Sequence, residues 1–198
     1  DTNVVLTLTN NATLAWNWQT NYWLAMTTNG SGTVSGNFGW ALAASNVTLT
    51  ADPASHWSFT GWTGETNGCT IVGNVITAAM SQARAISATF TIDQHTLTVV
   101  SAYSGTVPGT TTTNYNTALS CYITNSPVVL AGGTTQYLAN SATVLSNDAS
   151  FVSATNINLT LTNNATLAWN WTTNYRFTAS SSDAHGSVTG DVTNIWYL

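Results

Sequence analysis

The residues that could carry acid–base or metal chemistry are few and lie far apart in the sequence. Glu65 is the only glutamate, and the other six of the seven acidic residues are scattered aspartates. Paired-carboxylate chemistry needs two carboxylates that converge in one cleft. The favoured interpretation is that these aspartates lie in turns and loops. A metal site formed by Asp183, His185 and Asp191 is conceivable, although positions in turns and loops are the favoured interpretation. No nucleophile elbow, phosphate-binding glycine loop or paired-cysteine motif is found. The sequence therefore predicts no catalytic residues, no metal and no cofactor.

The nine tryptophans are the residues best suited to binding. Exposed aromatic rings stack on sugar faces, and an uncharged surround rich in Asn and Thr suits hydrogen bonds to hydroxyl groups. On this alternative, the glycan contacts are Trp23, Trp40 and Trp196. The favoured interpretation is packing within and between modules, because the repeated tryptophans fall on the inward face of alternating strands. It applies to Trp16, Trp18, Trp169 and Trp171.

The two cysteines are Cys69 and Cys121. An extracellular setting would permit a disulfide between them. The alternative is two unpaired, largely buried cysteines that act as small apolar side chains. Sequence alone does not bring their Cα atoms within bonding range, so both interpretations stay open.

Charged residues make up 5% of the chain, which has no lysine and only two arginines, Arg84 and Arg176. This composition excludes a basic surface for nucleic acid or anionic lipid. Many aromatic and β-branched residues predict an ordered β protein. No apolar run approaches the length of a membrane span, so no membrane insertion is expected. No segment carries the apolar stripe of an amphipathic helix, and we expect an all-β fold without a helix longer than about two turns.

One stretch occurs twice, and the rest of the chain is organised around it. Residues 5–22 recur at 158–175, an offset of 153 residues, with two differences between the copies. A fixed offset is typical of a repeat array. In each copy apolar residues alternate on both sides of an Asn-Asn pair, which predicts a β-hairpin. Because the copies match, we expect Trp16 and Trp169 to have equivalent, mostly buried environments.

The repeat divides the chain into small β modules in a linear array with a 153-residue period. The predicted parts are the closing hairpin of a preceding module (1–21), one β module (22–93), a second, diverged β module that ends in the repeated hairpin (94–174), and the opening strands of a next module (175–198). In that last part, Ser187-to-Gly190 and Trp196 correspond to Thr33-to-Gly36 and Trp40. We expect the chain to be a segment of a longer protein.

The first module carries several recognisable motifs, namely Gly32-to-Gly36, Asn46-to-Pro53, Trp57-to-Gly64 and Arg84-to-Phe90. Through these motifs, and above all through the F-x-G-W-x-G core that begins at Phe59, the module resembles the divergent internalin-type B-repeat. That repeat is found in tandem in large bacterial surface proteins. The second module is similar but has Ala139-Asn140-Ser141 in place of the Gly-Trp. The resemblance implies a small, β-grasp-like module that serves as a spacer or adhesive stalk, with no catalytic residues.

These features predict a non-enzymatic structural segment of an extracellular stalk or filament at the bacterial cell surface. The links between modules are short (Gln19-to-Asn21 and Thr91-to-Gln94), and short links restrict the angle between neighbours. The expected partner is self, by covalent head-to-tail continuation or by strand addition between subunits, and lateral association is open. The alternative is a carbohydrate-binding adhesin with glycan partners. A stalk buries its tryptophans, whereas an adhesin exposes coplanar ones.

Overall fold

The computed structural model of the chain describes residues 3–179 and 193–197. Within these ranges the regular secondary structure is β-strand throughout, without a helix. The all-β prediction is confirmed. It follows that the described ranges contain no helix able to cross a membrane. The chain forms two compact units, residues 1–91 and 92–198. This boundary lies two residues before the one predicted between 93 and 94.

Eight strands form unit 1: β1 (Asn21–Asn29), β2 (Gly32–Gly36), β3 (Gly39–Leu42), β4 (Asn46–Pro53), β5 (Trp57–Gly64), β6 (Thr70–Val72), β7 (Val75–Ala79) and β8 (Arg84–Ile92). They make two four-stranded sheets, one in the order β3-β1-β8-β5 and the other in the order β2-β4-β7-β6. In the first sheet, the first and last strands of the unit lie side by side and run parallel, with Leu24 opposite Arg84. This is the order of a β-grasp sheet, and the layer that covers it here is a second sheet.

The two sheets of unit 1 share one core, because each strand alternates between inward and outward side chains. Phe59 lies at the centre of an aromatic group, with ring centroids 5.5 Å from Trp62 and 5.8 Å from Phe90. Gly32 lies against the Phe90 ring, where an added Cβ would come within 2.6 Å of ring carbons. The motif glycine is therefore required by packing. The buried core consists of Leu24, Leu49, Ala51, Trp62, Ile76, Ala78, Met80, Ile86, Ala88 and Phe90.

Ten strands form unit 2: β9 (Gln94–Val100), β10 (Thr106–Val107), β11 (Thr111–Asn114), β12 (Thr117–Ile123), β13 (Val128–Val129), β14 (Thr135–Leu145), β15 (Ala149–Ser153), β16 (Asn156–Leu161), β17 (Ala165–Thr178) and β18 (Thr193–Tyr197). One sheet has the order β11-β9-β17-β14-β13, and β18 also pairs with β17. The other has the order β10-β12-β16-β15. Strands β9 and β17 run parallel, with Leu97 opposite Ala165.

Unit 2 therefore repeats the plan of unit 1. Strands β9, β11, β14 and β17 take the places of β1, β3, β5 and β8, and β10, β12, β15 and β16 take those of β2, β4, β6 and β7. Where the Gly-Trp is replaced, the register shifts between Ala139 and Ser141, and β14 continues through this irregularity. The core again draws on both sheets and consists of Leu97, Cys121, Ile123, Ala139, Ala142, Ile157, Leu159, Leu161, Ala165, Leu167 and Trp169.

The predicted hairpin is wrong for the second copy of the repeat. Strand β16 pairs with β12 and β15 in one sheet, whereas β17 pairs with β9 and β14 in the other. The residues between them, 162–164, therefore cross from one sheet of the sandwich to the other. Alternation placed both strands correctly, but it carries no information on which strands pair. Two apolar faces can meet across the core as well as within one sheet.

The predicted hairpin is also wrong for the first copy. Residues 3–20 contain no strand, and all eighteen are exposed. The expectation of equivalent, buried tryptophans fails with it, because Trp169 is 5% exposed and Trp16 is 49% exposed. In unit 1 the positions that correspond to those of the second copy are filled by the unit's own strands β7 and β8.

Strand β17 is the longest in the described ranges and continues beyond the repeated stretch. Its last residues pair with β18, with Arg176 opposite Trp196. In unit 1 the same position holds Trp23 opposite Trp40. The predicted correspondence of Trp196 with Trp40 is thus reproduced in the strand register, while the Ser187-to-Gly190 motif lies outside the described residues.

Candidate functional site

Two charged side chains of unit 1, those of Arg84 and Glu65, hold a loop in place. Arg84 is buried, and its guanidinium donates hydrogen bonds to the carbonyl oxygens of Ala79 (3.0 Å), Glu65 (2.9 Å) and Asn67 (2.8 Å). The Glu65 carboxylate accepts a bond from the Ala85 amide at 2.7 Å, and the Glu65 amide donates to the Ala85 carbonyl at 2.8 Å. These bonds fasten the 65–69 loop to the start of β8. The chain's only glutamate therefore has a structural partner set.

The described ranges contain no group of three or more His, Cys, Asp or Glu residues arranged to hold a metal ion. His95 packs edge to face against Tyr115, with ring centroids 6.0 Å apart. The sequence-predicted metal candidates Asp183, His185 and Asp191 lie outside the described residues. Among the described ionisable residues, Arg84, Glu65 and His95 thus make structural contacts within their own unit.

Two of the three candidate glycan tryptophans face each other on neighbouring strands. Trp23 in β1 and Trp40 in β3 are cross-strand partners, and they are 48% and 73% exposed. Their ring centroids are 5.4 Å apart and their planes make an angle of 72°. An edge-to-face pair presents one ring face and one ring edge, so the two rings do not form the coplanar platform expected of an adhesin. The third, Trp196, is half-buried opposite Arg176.

Two of the four tryptophans assigned to packing are held inside unit 2. Trp169 lies in its core. The Trp171 indole Nε1 donates to Ser101 Oγ at 3.0 Å, and its ring meets Tyr103 edge to face at 4.8 Å. Tyr103 stacks on Tyr137 at 4.6 Å. Desolvation is the main cause that raises the pKa of the Tyr103 phenol above its ordinary value, and the contact with Tyr137 raises it further.

Sequence reasoning missed this tyrosine group, although a signal for it was present. Gln136-to-Leu138 occupies the position of Trp57-to-Phe59 in unit 1. Phe90 and Trp171 each lie six residues after the start of their strand, and each packs on an aromatic group of its own unit. The seventh residue of β8 and the seventh residue of β17 therefore make the same kind of aromatic contact, with different residue types.

The other two packing candidates lie on the first copy of the repeat. Trp18 is among the most exposed large side chains of the chain, and Trp16 is half exposed. Trp16 and Trp18 therefore do not have the packed environments that Trp169 and Trp171 have in unit 2.

Cys69 and Cys121 are both free thiols. Cys69 is half-buried in unit 1, and Cys121 is fully buried in the core of unit 2. Burial raises the pKa of the Cys121 thiol. This arrangement matches the alternative of two unpaired cysteines that act as small apolar side chains.

An open trough of about 890 Å³ lies on the outer face of the sheet formed by β12, β16 and β15. Its lining is mostly small and uncharged, and it contains no aromatic ring on which a sugar could stack. The lining residues are Asn116, Ala118, Leu119, Ser120, Asp148, Ala149, Ser150, Asn158, Leu159, Thr160 and Thr162.

Residues 22–94 match the model of a protein family described as the divergent InlB B-repeat domain. The matched range contains seven strands of unit 1 in full, all of β1 except Asn21, and the first residue of β9. The resemblance inferred from the motifs of the first module is thereby confirmed for this range. No curated protein and no solved structure matches the chain. Domains of this type occur as repeat modules in bacterial surface proteins, and unit 2 has the same strand order as the matched unit.

Proposed function

We propose that this chain is a structural repeat segment of an extracellular bacterial stalk or filament-forming surface protein, without catalytic activity. The observation that carries this proposal is strand β17. Its first part closes unit 2 between β9 and β14, and its last part pairs with β18 in the register of β1 with β3. One strand thus ends one module and opens the next.

A strand shared in this way supports a stiff connection. A flexible linker has free backbone torsions, whereas the backbone of β17 is fixed by ladder hydrogen bonds along its length. The other boundary is similarly short, because β8 ends at Ile92 and β9 begins at Gln94. In repeat arrays each module contacts only its neighbours, so the connection between neighbours sets the stiffness of the whole.

Electron microscopy of the purified native protein tests the proposal. We expect linear particles with an axial repeat on the order of 60–80 Å per 153 residues, the advance of two compact β modules end to end. A discrete globular particle with no axial repeat would contradict it.

A carbohydrate-binding adhesin is the second candidate, and the exposure of Trp23 and Trp40 favours it. Only 5% of the chain is charged, which suits binding of uncharged hydroxyl groups, although the two rings are not coplanar. Quenching of tryptophan fluorescence by a panel of bacterial and host glycans tests this candidate. Binding that is lost in Trp40→Ala and kept in Trp196→Ala would place the site at the unit 1 pair, and absence of any binding would remove the candidate.

A further inference from the structure

The first copy of the repeat is an exposed segment whose bound form is visible elsewhere in the same chain. Residues 3–20 and 156–173 are identical at all but three of eighteen positions. The second of these segments is the closing segment of unit 2, and it fills the gap between β12 and β15 in one sheet and between β9 and β14 in the other. The first is exposed throughout and pairs with no strand of residues 21–179 or 193–197.

The apolar contacts of the closing segment can be reproduced by the first copy. The fully or nearly fully buried side chains of residues 156–173 are Ile157, Leu159, Leu161, Ala165, Leu167 and Trp169. The first copy has Leu6, Leu8, Ala12, Leu14 and Trp16 at five of these positions and Val4 at the sixth. Val4 is one methylene smaller than Ile157. The cavity that receives the closing segment would therefore receive the first copy with almost the same contacts.

The polar contacts of the closing segment can also be reproduced. Asn147 accepts hydrogen bonds from the Thr162 amide and hydroxyl, both at 2.9 Å, and donates to the Asn163 carbonyl at 2.9 Å. Asn164 accepts a bond from the Thr96 amide at 2.9 Å. The first copy has the same residues at these places, Thr9, Asn10 and Asn11. These bonds fix the register of a docked segment as well as its position.

The remaining two differences fall at tolerant positions. Asn158, replaced by Val5, is exposed, and Thr172, replaced by Gln19, is half-buried. The Thr172 hydroxyl bond to the Leu138 carbonyl is long, at 3.4 Å. Neither change introduces a charge or a bulky side chain into the core.

We propose that residues 3–20 are a donor segment that docks into unit 2 of a second copy of this chain, in the position and register of residues 156–173. The inference rests on the proposed function and adds to it a contact between separate copies, since each docked donor links one copy to the next. In each copy the tethered closing segment has a high effective concentration and competes with the donor. Docking therefore prevails where the closing segment is weakened or absent.

Full-length variants can separate the two segments. In a Cys69→Ser background, Leu161→Asp with Leu167→Asp disables the closing segment, and the matched pair Leu8→Asp with Leu14→Asp disables the donor. The thiol of Cys121 reports on unit 2 because it is fully buried there, beside Ile157. Its rate of reaction with a thiol reagent rises when the unit opens.

With the closing segment disabled, we expect Cys121 protection to increase with protein concentration, together with linear oligomers. With the donor disabled, we expect a protected thiol and a monomer at all concentrations. With both segments disabled, the Cys121 thiol should react at least about tenfold faster, at every protein concentration, than it does in the variant with only the donor disabled. The proposal is overturned if disabling the closing segment alone gives the same fast reaction as disabling both, or if protection is independent of concentration in a monomer.

A trapping experiment in chains with an intact closing segment covers the case in which the aspartate variants do not fold. Ala15 corresponds to Ala168, which lies opposite Thr143 in the ladder. Directly opposite residues are close enough for a disulfide. One chain would carry Ala15→Cys and the other Thr143→Cys, both without the native cysteines (Cys69→Ser and Cys121→Ala). Slow oxidation of the mixture should give at least about tenfold more crosslinked dimer than the same donor with Val152→Cys. Equal yields would overturn the proposal.

The two proposals fail separately. If docking fails, the axial repeat measured on native material still tests the stalk. If native material shows no axial repeat, donor docking can still be measured on the isolated chains.

Discussion

Two copies of one sequence have opposite fates in this molecule. Residues 156–173 provide β16 and most of β17, and their apolar side chains belong to the core of unit 2. Residues 3–20 carry nearly the same side chains and are exposed without strand structure. The difference lies in their surroundings: within the described ranges the second copy pairs with four strands and the first pairs with none. A β-strand is therefore a property of a segment and its partners together.

The largest contrast is expected at the shared tryptophan. Trp169→Ala should lower the free energy of unfolding of unit 2 by about 3–5 kcal/mol, because it empties a filled core position. Trp16→Ala should change stability by less than about 0.5 kcal/mol, since the exposed ring has few contacts to lose. Denaturant unfolding, followed by far-ultraviolet circular dichroism, measures both. Equal losses would mean that the first copy is packed in solution.

The next contrast concerns the crossing between the sheets. Asn164→Ala should cost about 1 kcal/mol, because the Thr96 amide loses its acceptor. The matched change Asn11→Ala should leave the unfolding midpoint where it is. If Asn164→Ala is also silent, the bond to Thr96 does not hold the crossing, and the register argument for a docked donor weakens.

A smaller effect tests whether unit 2 tolerates the residue found in the first copy. Ile157→Val removes one methylene from a fully buried position and should cost about 0.5–1.5 kcal/mol. Val4→Ile adds the same group to an exposed segment, and we expect no change in the unfolding midpoint. A loss well above that range for Ile157→Val would show that the cavity discriminates against the first copy.

The smallest effect is a pH dependence specific to unit 2. Burial raises the pKa of the Cys121 thiol above its ordinary value of 9.0. The folded state then holds this proton more tightly than the unfolded chain does, so the associated stability is fully present below about pH 9 and declines as the pH rises further. Comparing the alkaline slopes of the chain and of Cys121→Ala isolates the effect, since the tyrosines are common to both. Identical slopes would contradict it.

Much of the fold could be predicted from the order of apolar and polar residues. Alternation located β16 and β17 and identified Leu161, Leu167 and Trp169 as inward-facing. The motifs of the first module led to the correct family for residues 22–94. The candidate sites were less accessible. The sequence predicts Trp23, Trp40 and Trp196 as glycan candidates, but the pairing of Trp23 with Trp40 and the 72° angle between their rings depend on strand register and side-chain rotamers, which a sequence pattern does not specify.

Strand pairing was the main error, and its cause is physical. An Asn-Asn pair between two alternating segments is compatible with a hairpin, in which ladder bonds join the two segments. It is equally compatible with a crossing between sheets, in which Asn147 and Thr96 hold the turn from outside it. These partners lie 15 and 68 residues away. The residues next to the Asn-Asn pair in the sequence do not indicate that Asn147 and Thr96 are its partners.

The sequence by itself determined the β-class, the positions of β16 and β17, their inward faces, the absence of a basic surface and the repetition of one closing segment. These follow from side-chain chemistry and period, which are local properties. Only the tertiary structure decided which strands pair, that the two closing strands lie in different sheets, and that one copy is buried while the other is exposed. Ladder hydrogen bonds and core contacts join residues that lie far apart in the chain. Two nearly identical eighteen-residue segments therefore differ in structure according to the strands that surround them.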